Sequence, residues 1–177
     1  MRRPNLRQLL TDAENQFKLA IALQTLCDNA DSNVLTYART WSFGMHIADH
    51  DELPLSPEEE KRASGALVHC ATYLLAVQLD SVLQEAVSNR FNHSNSVIFA
   101  AAWIARLIRN AFAHNPLYPV WKIDRKCRNK LIEIPDIIRL NTREREGTSL
   151  KRMDYGGPLA LLKLSSYVRQ NILNRSS

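Results

Sequence analysis

Residues 98–108 read IFAAAWIARLI, and RNAFAHNP follows directly at residues 109–116. The first stretch is apolar almost throughout, which predicts a helix packed into a protein core. Four polar side chains close it: Arg106, Arg109, Asn110 and His114. Because a residue before proline avoids the helical conformation, Asn115-Pro116 is expected to stop the helix. We therefore predict a buried helix over about 96–114 with a polar end.

Hydrophobic periodicity predicts three helices before this one, over about residues 5–27, 34–49 and 57–90. The third of them has a strong start signal, with Ser56 as the N-cap, proline in the first turn and Glu59 closing a capping box. A further helix over about 158–173 follows a Gly-Gly-Pro turn. The helices over 5–114 are expected to form a bundle.

Between the last two predicted helices the periodicity changes to that of short strands. The stretches PVWKI (119–123), LIEI (131–134) and IIRLNT (137–142) alternate in the manner of strands and are separated by charged turns. We predict one all-α domain over residues 1–177, a helical bundle of four to five helices. A small basic β-hairpin insert, about 119–152, precedes its C-terminal helix.

The net charge of +5 is concentrated in this insert. Residues 120–152 hold ten basic and five acidic residues, whereas the rest of the chain is balanced. A local basic surface suits phosphate backbones or an acidic partner protein. The candidates for phosphate contact in the insert are Arg125, Lys126, Arg128 and Lys130. The alternative is a solvated hairpin whose charge serves solubility.

Composition favours a globular domain over a membrane-spanning, secreted or metal-binding protein. An apolar fraction of 45% and a charged fraction of 23% are ordinary for a globular domain. No apolar run approaches the ~20 residues that span a bilayer, and the N-terminus turns polar too early for a signal peptide. Cys27, Cys70 and Cys127 are expected to be buried, reduced thiols of a cytoplasmic protein. We expect no metal and no cofactor, because cysteines and histidines do not cluster at ligand spacing.

The polar helix end has the residue types for phosphodiester chemistry. Arg106, Asn110 and His114 are four residues apart and so are expected on one helix face, with Arg109 beside it. A guanidinium matches phosphate oxygens with a planar fork of donors, and a histidine can transfer protons near neutral pH. The set is able to bind a phosphodiester and move protons without a metal. A solvated helix end is the alternative.

The stretch Arg109-Asn110-Ala111-Phe112-Ala113-His114 resembles the Arg-polar-x3-His form of the motif of HEPN domains. The stretches PVWKI, LIEI and YGGPLALLKLSSYV are also similar to the tail of a group of bacterial HEPN proteins. The resemblance implies a helical bundle, a homodimer whose two motifs meet at one cleft, and metal-independent endoribonuclease activity. It implies catalytic roles for Arg109, Asn110 and His114, with Arg106 as a further phosphate contact.

Two alternatives stay open at this point. Many HEPN domains are non-catalytic dimeric modules that bind a partner protein or a nucleotide, and an antitoxin partner or a role in toxin–antitoxin or phage-defence systems is equally open. The bare motif spacing also fits Arg39 to His46 and Arg62 to His69. We prefer Arg109–His114 because Asn110 follows its arginine directly, whereas Thr40 and Ala63 follow the other two. This motif also closes a helix and adjoins the basic insert.

Overall fold

The computed structural model describes residues 5–35, 40–49 and 54–175 of the chain. These residues form four α-helices and two antiparallel β-hairpins. The helices are α1 (Leu6–Asn29), α2 (Pro57–Ala86), α3 (Ser96–Phe112) and α4 (Pro158–Tyr167). The strands are β1 (Thr40–Phe43), β2 (His46–Asp49), β3 (Leu131–Ile134) and β4 (Ile138–Asn141). The predicted all-α fold, with a hairpin before the C-terminal helix, is confirmed.

The chain divides into two compact units. One comprises Met1–Phe17 and His69–Ser177, and the other comprises Lys18–Val68. Every predicted site residue of the 106–114 motif and of the basic insert lies in the first unit. The assignment of residues 1–177 to a single domain stays a prediction.

The prediction of a helix over residues 34–49 is wrong. Strands β1 and β2 pair there, with Phe43 opposite His46 and a two-residue turn at Gly44 and Met45. Gly44 has a φ of +60°, a conformation that glycine adopts without the steric cost of a Cβ atom. The aromatic and β-branched residues around it favour strands over a helix. Residues 36–39, within the predicted helix, lie outside the described part.

Helix α2 starts as predicted. The Ser56 N–H donates to Glu59 Oε2 at 2.8 Å, and the Glu59 N–H donates to Ser56 Oγ at 3.4 Å, which completes the capping box. The helix continues through Gly65 and ends at Ala86 rather than near residue 90. Asn89 then adopts a left-handed conformation, with φ of 55°, and leads into a 3₁₀ turn over Arg90–Asn92.

Helix α2 is long and apolar enough to cross a membrane, by length and composition only. This corrects the sequence-based expectation that no stretch of the chain meets that criterion. Half of its most apolar stretch is buried within the fold, and core helices pass the same test. The expected cytoplasmic location therefore stays a prediction.

Helix α3 is the most apolar element of the first unit. Asn95 caps it by accepting hydrogen bonds at Oδ1 from the N–H groups of Val97 and Ile98. Ten of its side chains are buried: Ala100, Ala101, Ala102, Trp103, Ile104, Ala105, Leu107, Ile108, Ala111 and Phe112. The apolar run at 98–108 is thus a core helix, as its sequence indicates.

The basic insert is packed into this unit rather than suspended in solvent. Strand β3 packs against α3 and strand β4 against α4. Alternating residues of the hairpin point inward, and four isoleucine and leucine side chains are buried: Ile132, Ile134, Ile138 and Leu140. The strand predicted over 119–123 is wrong, because only one bridge forms, between Val120 and Ser149. The other two predicted strands are confirmed.

The C-terminal helix changes its winding before it ends. After α4 the chain makes one π-helical turn over Val168–Ile172 and a 3₁₀ turn over Leu173–Arg175. The buried Glu14 of α1 accepts hydrogen bonds from Ser165 Oγ at 2.8 Å and Arg169 Nη2 at 3.3 Å. This network joins the two chain ends within the first unit.

The cysteine prediction holds for two of the three thiols. Cys27 and Cys127 are buried, whereas Cys70 is exposed. Burial raises the pKa of the Cys127 thiol to about 11, which keeps it neutral near pH 7.

Candidate phosphate-binding and catalytic site

Three arginines converge on one buried carboxylate, that of Asp80. Arg109 Nη1 donates to Asp80 Oδ2 at 2.7 Å, and Arg106 Nη1 approaches the same oxygen at 3.4 Å. Arg90 Nη2 donates to Asp80 Oδ1 at 2.9 Å. The Asp80 side chain is 2% exposed. We call this group the Asp80 cluster.

Secondary structure explains why these side chains meet. On α2, six positions at helical spacing are almost fully buried: Thr72, Leu75, Ala76, Leu79, Asp80 and Leu83. Asp80 therefore occupies a core position within an apolar stripe. Arg106 and Arg109 are three residues apart on α3 and project from one side of that helix. Arg90 reaches Asp80 from the 3₁₀ turn after α2.

The cluster carries more positive than negative charge. A buried carboxylate is tolerated only when charged donors compensate it, and Asp80 has three. One carboxylate neutralises one guanidinium, so the other two charges are left in excess. Arg90 is nine-tenths buried, but the side chains of Arg106 and Arg109 are 39% and 37% exposed. Each of these two guanidiniums makes one contact with Asp80 and has further donors to offer at the surface.

Helix α3 ends before His114. Its last residue is Phe112, and Ala113, still helical at φ of −60°, donates its N–H to the Asn110 carbonyl. The Val120 N–H caps another free carbonyl, that of Ala111, at 3.0 Å. His114 thus follows the helix, which corrects the expectation that it shares one helical face with Arg106 and Asn110.

His114 lies in a tight turn at the surface. The next residue, Asn115, accepts hydrogen bonds at Oδ1 from the N–H groups of Leu117 and Tyr118, at 3.0 and 3.2 Å, and so folds the chain back. His114 is exposed and Asn110 half-buried. Within the described part of the chain, neither side chain forms a hydrogen bond with Arg109 or with another residue. Both are therefore accessible to a ligand.

Two other stretches, Arg39 to His46 and Arg62 to His69, have the same motif spacing. Arg39 lies outside the described residues, and His46 belongs to β2. His69 is half-buried; its Nδ1 lies 3.3 Å from the Leu117 carbonyl oxygen, and its ring meets Phe112 edge-on. Burial lowers the pKa of His69, with the Leu117 hydrogen bond opposing this in part. His69 is therefore engaged in packing against Phe112.

The four basic residues of the insert that were predicted to contact phosphate differ in whether an acidic side chain lies near them. All four side chains are exposed. Arg128 lies 3.7 Å from the carboxylate of Glu146 and is partly neutralised. Among the side chains that the structure describes, no acidic group lies within salt-bridge distance of Arg125, Lys126 or Lys130. These three are the basic groups best placed to meet an anion.

Sequence reasoning missed Asp80 and Arg90. A signal existed for Asp80, because an acidic residue at a core position of an amphipathic helix needs a buried partner. No local pattern marks Arg90 as that partner. Among the described residues, no three His, Cys, Asp or Glu side chains come together as metal ligands would.

Comparison of the chain with protein-family models, with curated proteins and with solved structures gave no match.

Proposed function

We propose that this protein is a metal-independent endoribonuclease of the HEPN type, acting through Arg109, Asn110 and His114. The observation that carries the proposal is the Asp80 cluster. It holds two half-exposed guanidiniums with an unbalanced positive charge at the end of a rigid, buried helix, and an exposed histidine follows within five residues. Fixed cations beside a free imidazole are suited to phosphodiester chemistry.

The proposed reaction is an internal displacement on RNA. The 2′-oxygen attacks the adjacent phosphorus, the bond from phosphorus to the 5′-oxygen breaks, and a 2′,3′-cyclic phosphate and a 5′-hydroxyl form. His114 accepts the proton of the 2′-hydroxyl, and His114 of the partner subunit protonates the leaving 5′-oxygen. The products carry 2′,3′-cyclic phosphate or, after hydrolysis, 3′-phosphate ends.

Arg109 binds the phosphate in this mechanism and stabilises the charge that develops in the transition state. Asp80 orients its guanidinium, so that little reorganisation accompanies the reaction. Arg106 makes a second phosphate contact. Asn110, half-buried and free of other hydrogen bonds in the described part of the chain, orients either His114 or the phosphate.

The proposal includes a homodimer, because one imidazole cannot act as base and acid in the same step. Most of α3 is buried within its own chain, so the contact needs other surface near the motif. Exposed apolar side chains directly follow His114: Leu117 is 47%, Tyr118 76% and Val120 44% exposed. An isologous contact through this segment would bring the two motifs together.

Tyr118→Asp is therefore expected to convert the dimer to a monomer and to abolish cleavage, because an isologous contact contains the substituted residue twice and would bury two unpaired charges. Light scattering measures the mass and an RNA assay the activity. Leu19→Asp, at a leucine of α1 that is 69% exposed, is the control and should leave both unchanged. A wild type that is monomeric at micromolar concentration would contradict the dimer.

Charge removal in the insert gives a second prediction. Changing Arg125, Lys126 and Lys130 together to alanine should weaken RNA binding. The slope of log binding constant against log salt concentration should become shallower by roughly 2, since each lost phosphate contact removes about 0.7 from this slope. The control changes Arg139 and Arg143, which lie 3.5 and 3.8 Å from glutamates, and should have a smaller effect. If the triple variant has the same salt dependence as wild type, the charge of the insert serves solubility and not RNA binding.

Cleavage of RNA by wild type and by His114→Ala, in the presence of chelator, tests the proposed function. Absence of cleavage by folded wild-type protein would favour the non-catalytic alternative. In that case Arg106 and Arg109 would serve to compensate Asp80.

A further inference from the structure

A pocket of about 340 Å³ adjoins the Asp80 cluster at the C-terminal end of α2. Arg90 belongs to both, because it lines this pocket and binds Asp80. The pocket also receives Lys126 from the basic insert. Its volume is within the range of small-molecule sites, about 300–1,000 Å³.

The side chains around the pocket are mainly neutral and polar. Gln84, Asn89 and Asn92 contribute three amide groups. Two long contacts of 3.4 Å engage part of them, from Arg90 Nη2 to Gln84 Oε1 and from Asn92 Nδ2 to Asn89 Oδ1. The amide donors of Gln84 and Asn89 and the amide acceptor of Asn92 are left for a ligand. The Phe91 ring forms an apolar wall, fixed by the Arg90 guanidinium at 4.5 Å from its centre and by the Trp103 ring, also at 4.5 Å. Paired donors and acceptors beside an apolar surface complement the edge and face of a nucleobase.

The charge of the pocket argues against a bare phosphate as its ligand. Arg90 is nine-tenths buried, and its positive charge is already matched by Asp80 at 2.9 Å. Lys126 is exposed and has no acidic partner in the described part of the chain, so it supplies the one free charge among the pocket residues. A ligand with a neutral hydrogen-bonding body and one negative group fits this arrangement. A nucleotide unit of a nucleic acid has that composition.

Arg90 also has a donor that is not satisfied. Its Nε is buried and has no hydrogen-bond partner among the residues described. Such a group is costly to leave unpaired, and it lies on a side chain that forms part of the pocket. Arg90 also hydrogen-bonds to the Asp80 carboxylate, which in turn contacts Arg106 and Arg109. The pocket is thereby connected to those two arginines.

We propose that the pocket binds the nucleotide next to the scissile phosphate, with its base against the amide groups and its phosphate near Lys126. This rests on the proposed ribonuclease function, since the nucleotide is taken to belong to the substrate strand. Arg90 is then a positioning residue: it joins the seated nucleotide, through Asp80, to the guanidiniums that hold the reacting phosphate.

Binding of a short 2′-O-methyl RNA to the full chain tests this proposal, because such RNA lacks the attacking hydroxyl and cannot be cut. Asn92→Leu, which removes an amide at nearly constant side-chain shape, should weaken binding about tenfold, or ~1.4 kcal/mol. Lys126→Ala should weaken it as well and flatten the salt dependence. Lys163→Ala, an exposed lysine of α4, is the matched control and should bind like wild type.

The outcomes separate this proposal from the proposed function. If wild type cuts ordinary RNA and Asn92→Leu and Lys126→Ala both bind and cut equally well, the pocket proposal is overturned and the ribonuclease survives. If the variants lose affinity while wild type never cuts RNA, the pocket is supported and the catalytic proposal fails. A free mononucleotide could also bind more tightly than the RNA and lose affinity in the two pocket variants. That result would overturn the assignment of the pocket to a substrate strand. Thermal melting verifies that each variant is folded.

Discussion

Replacing Asp80 with alanine is expected to lower the free energy of unfolding by about 3–5 kcal/mol, the usual cost of removing one partner of a buried ion pair. Arg90 is the reason, because its side chain is only 9% exposed and would lose its charged partner. Arg106 and Arg109 would also lose the carboxylate that holds them near each other. Chemical denaturation measures the change.

Asp12→Ala, at an exposed carboxylate of α1, is the control and should shift stability by no more than about 0.5 kcal/mol. The double variant Asp80→Leu with Arg90→Met should recover much of the loss, because well-packed apolar residues often replace a buried pair without cost. A loss of less than 1 kcal/mol in Asp80→Ala, roughly the scale of an exposed pair, would mean that the cluster is not a stabilising unit.

Arg109→Ala and His114→Ala should each reduce RNA cleavage by at least about a hundredfold, the scale for losing an acid–base group or a contact to developing charge. Their effects on stability should differ. His114 is exposed and its loss should cost no more than about 0.5 kcal/mol, whereas Arg109 binds the buried Asp80 and its loss should cost roughly 1–2 kcal/mol.

Arg109→Lys separates the two roles of this side chain. A lysine keeps the charge and can still meet Asp80, but it lacks the planar fork that binds a phosphate with two donors. Cleavage should fall in this variant while stability stays near that of wild type. His46→Ala and His69→Ala test the competing motifs. Full activity in His114→Ala, with loss of activity in folded His46→Ala or His69→Ala, would mean that another histidine acts.

Local sequence signals were sufficient for much of the fold. The capping box at Ser56 fixed the start of α2, and the apolar run at 98–108 marked α3 as a core helix. The run LIEI, rich in β-branched residues and bounded by charged turns, identified β3. Each of these signals involves residues close in sequence, where side-chain period and backbone geometry are directly linked.

Other features depend on contacts that sequence periodicity does not contain. The end of α3 is fixed in part by the N–H of Val120, nine positions after the carbonyl that accepts its hydrogen bond. Asp80 binds arginines ten, twenty-six and twenty-nine residues away. The hairpin at residues 40–49 had a local signal in Gly44, but the apolar spacing around it also matched a helix. Arg106 and Arg109 could therefore be placed on one side of α3 from sequence, whereas their meeting with Arg90 at Asp80 could not.

We propose above all that the chain cuts RNA by 2′-hydroxyl attack without a metal, using Arg109 and His114. The most direct measurement is the chemistry of the RNA ends after incubation with wild type or with His114→Ala in EDTA. We expect 2′,3′-cyclic phosphate or 3′-phosphate ends with 5′-hydroxyls from wild type, and none above background from the variant. Equal cleavage by both proteins, cleavage that stops in EDTA, or 5′-phosphate ends would contradict it.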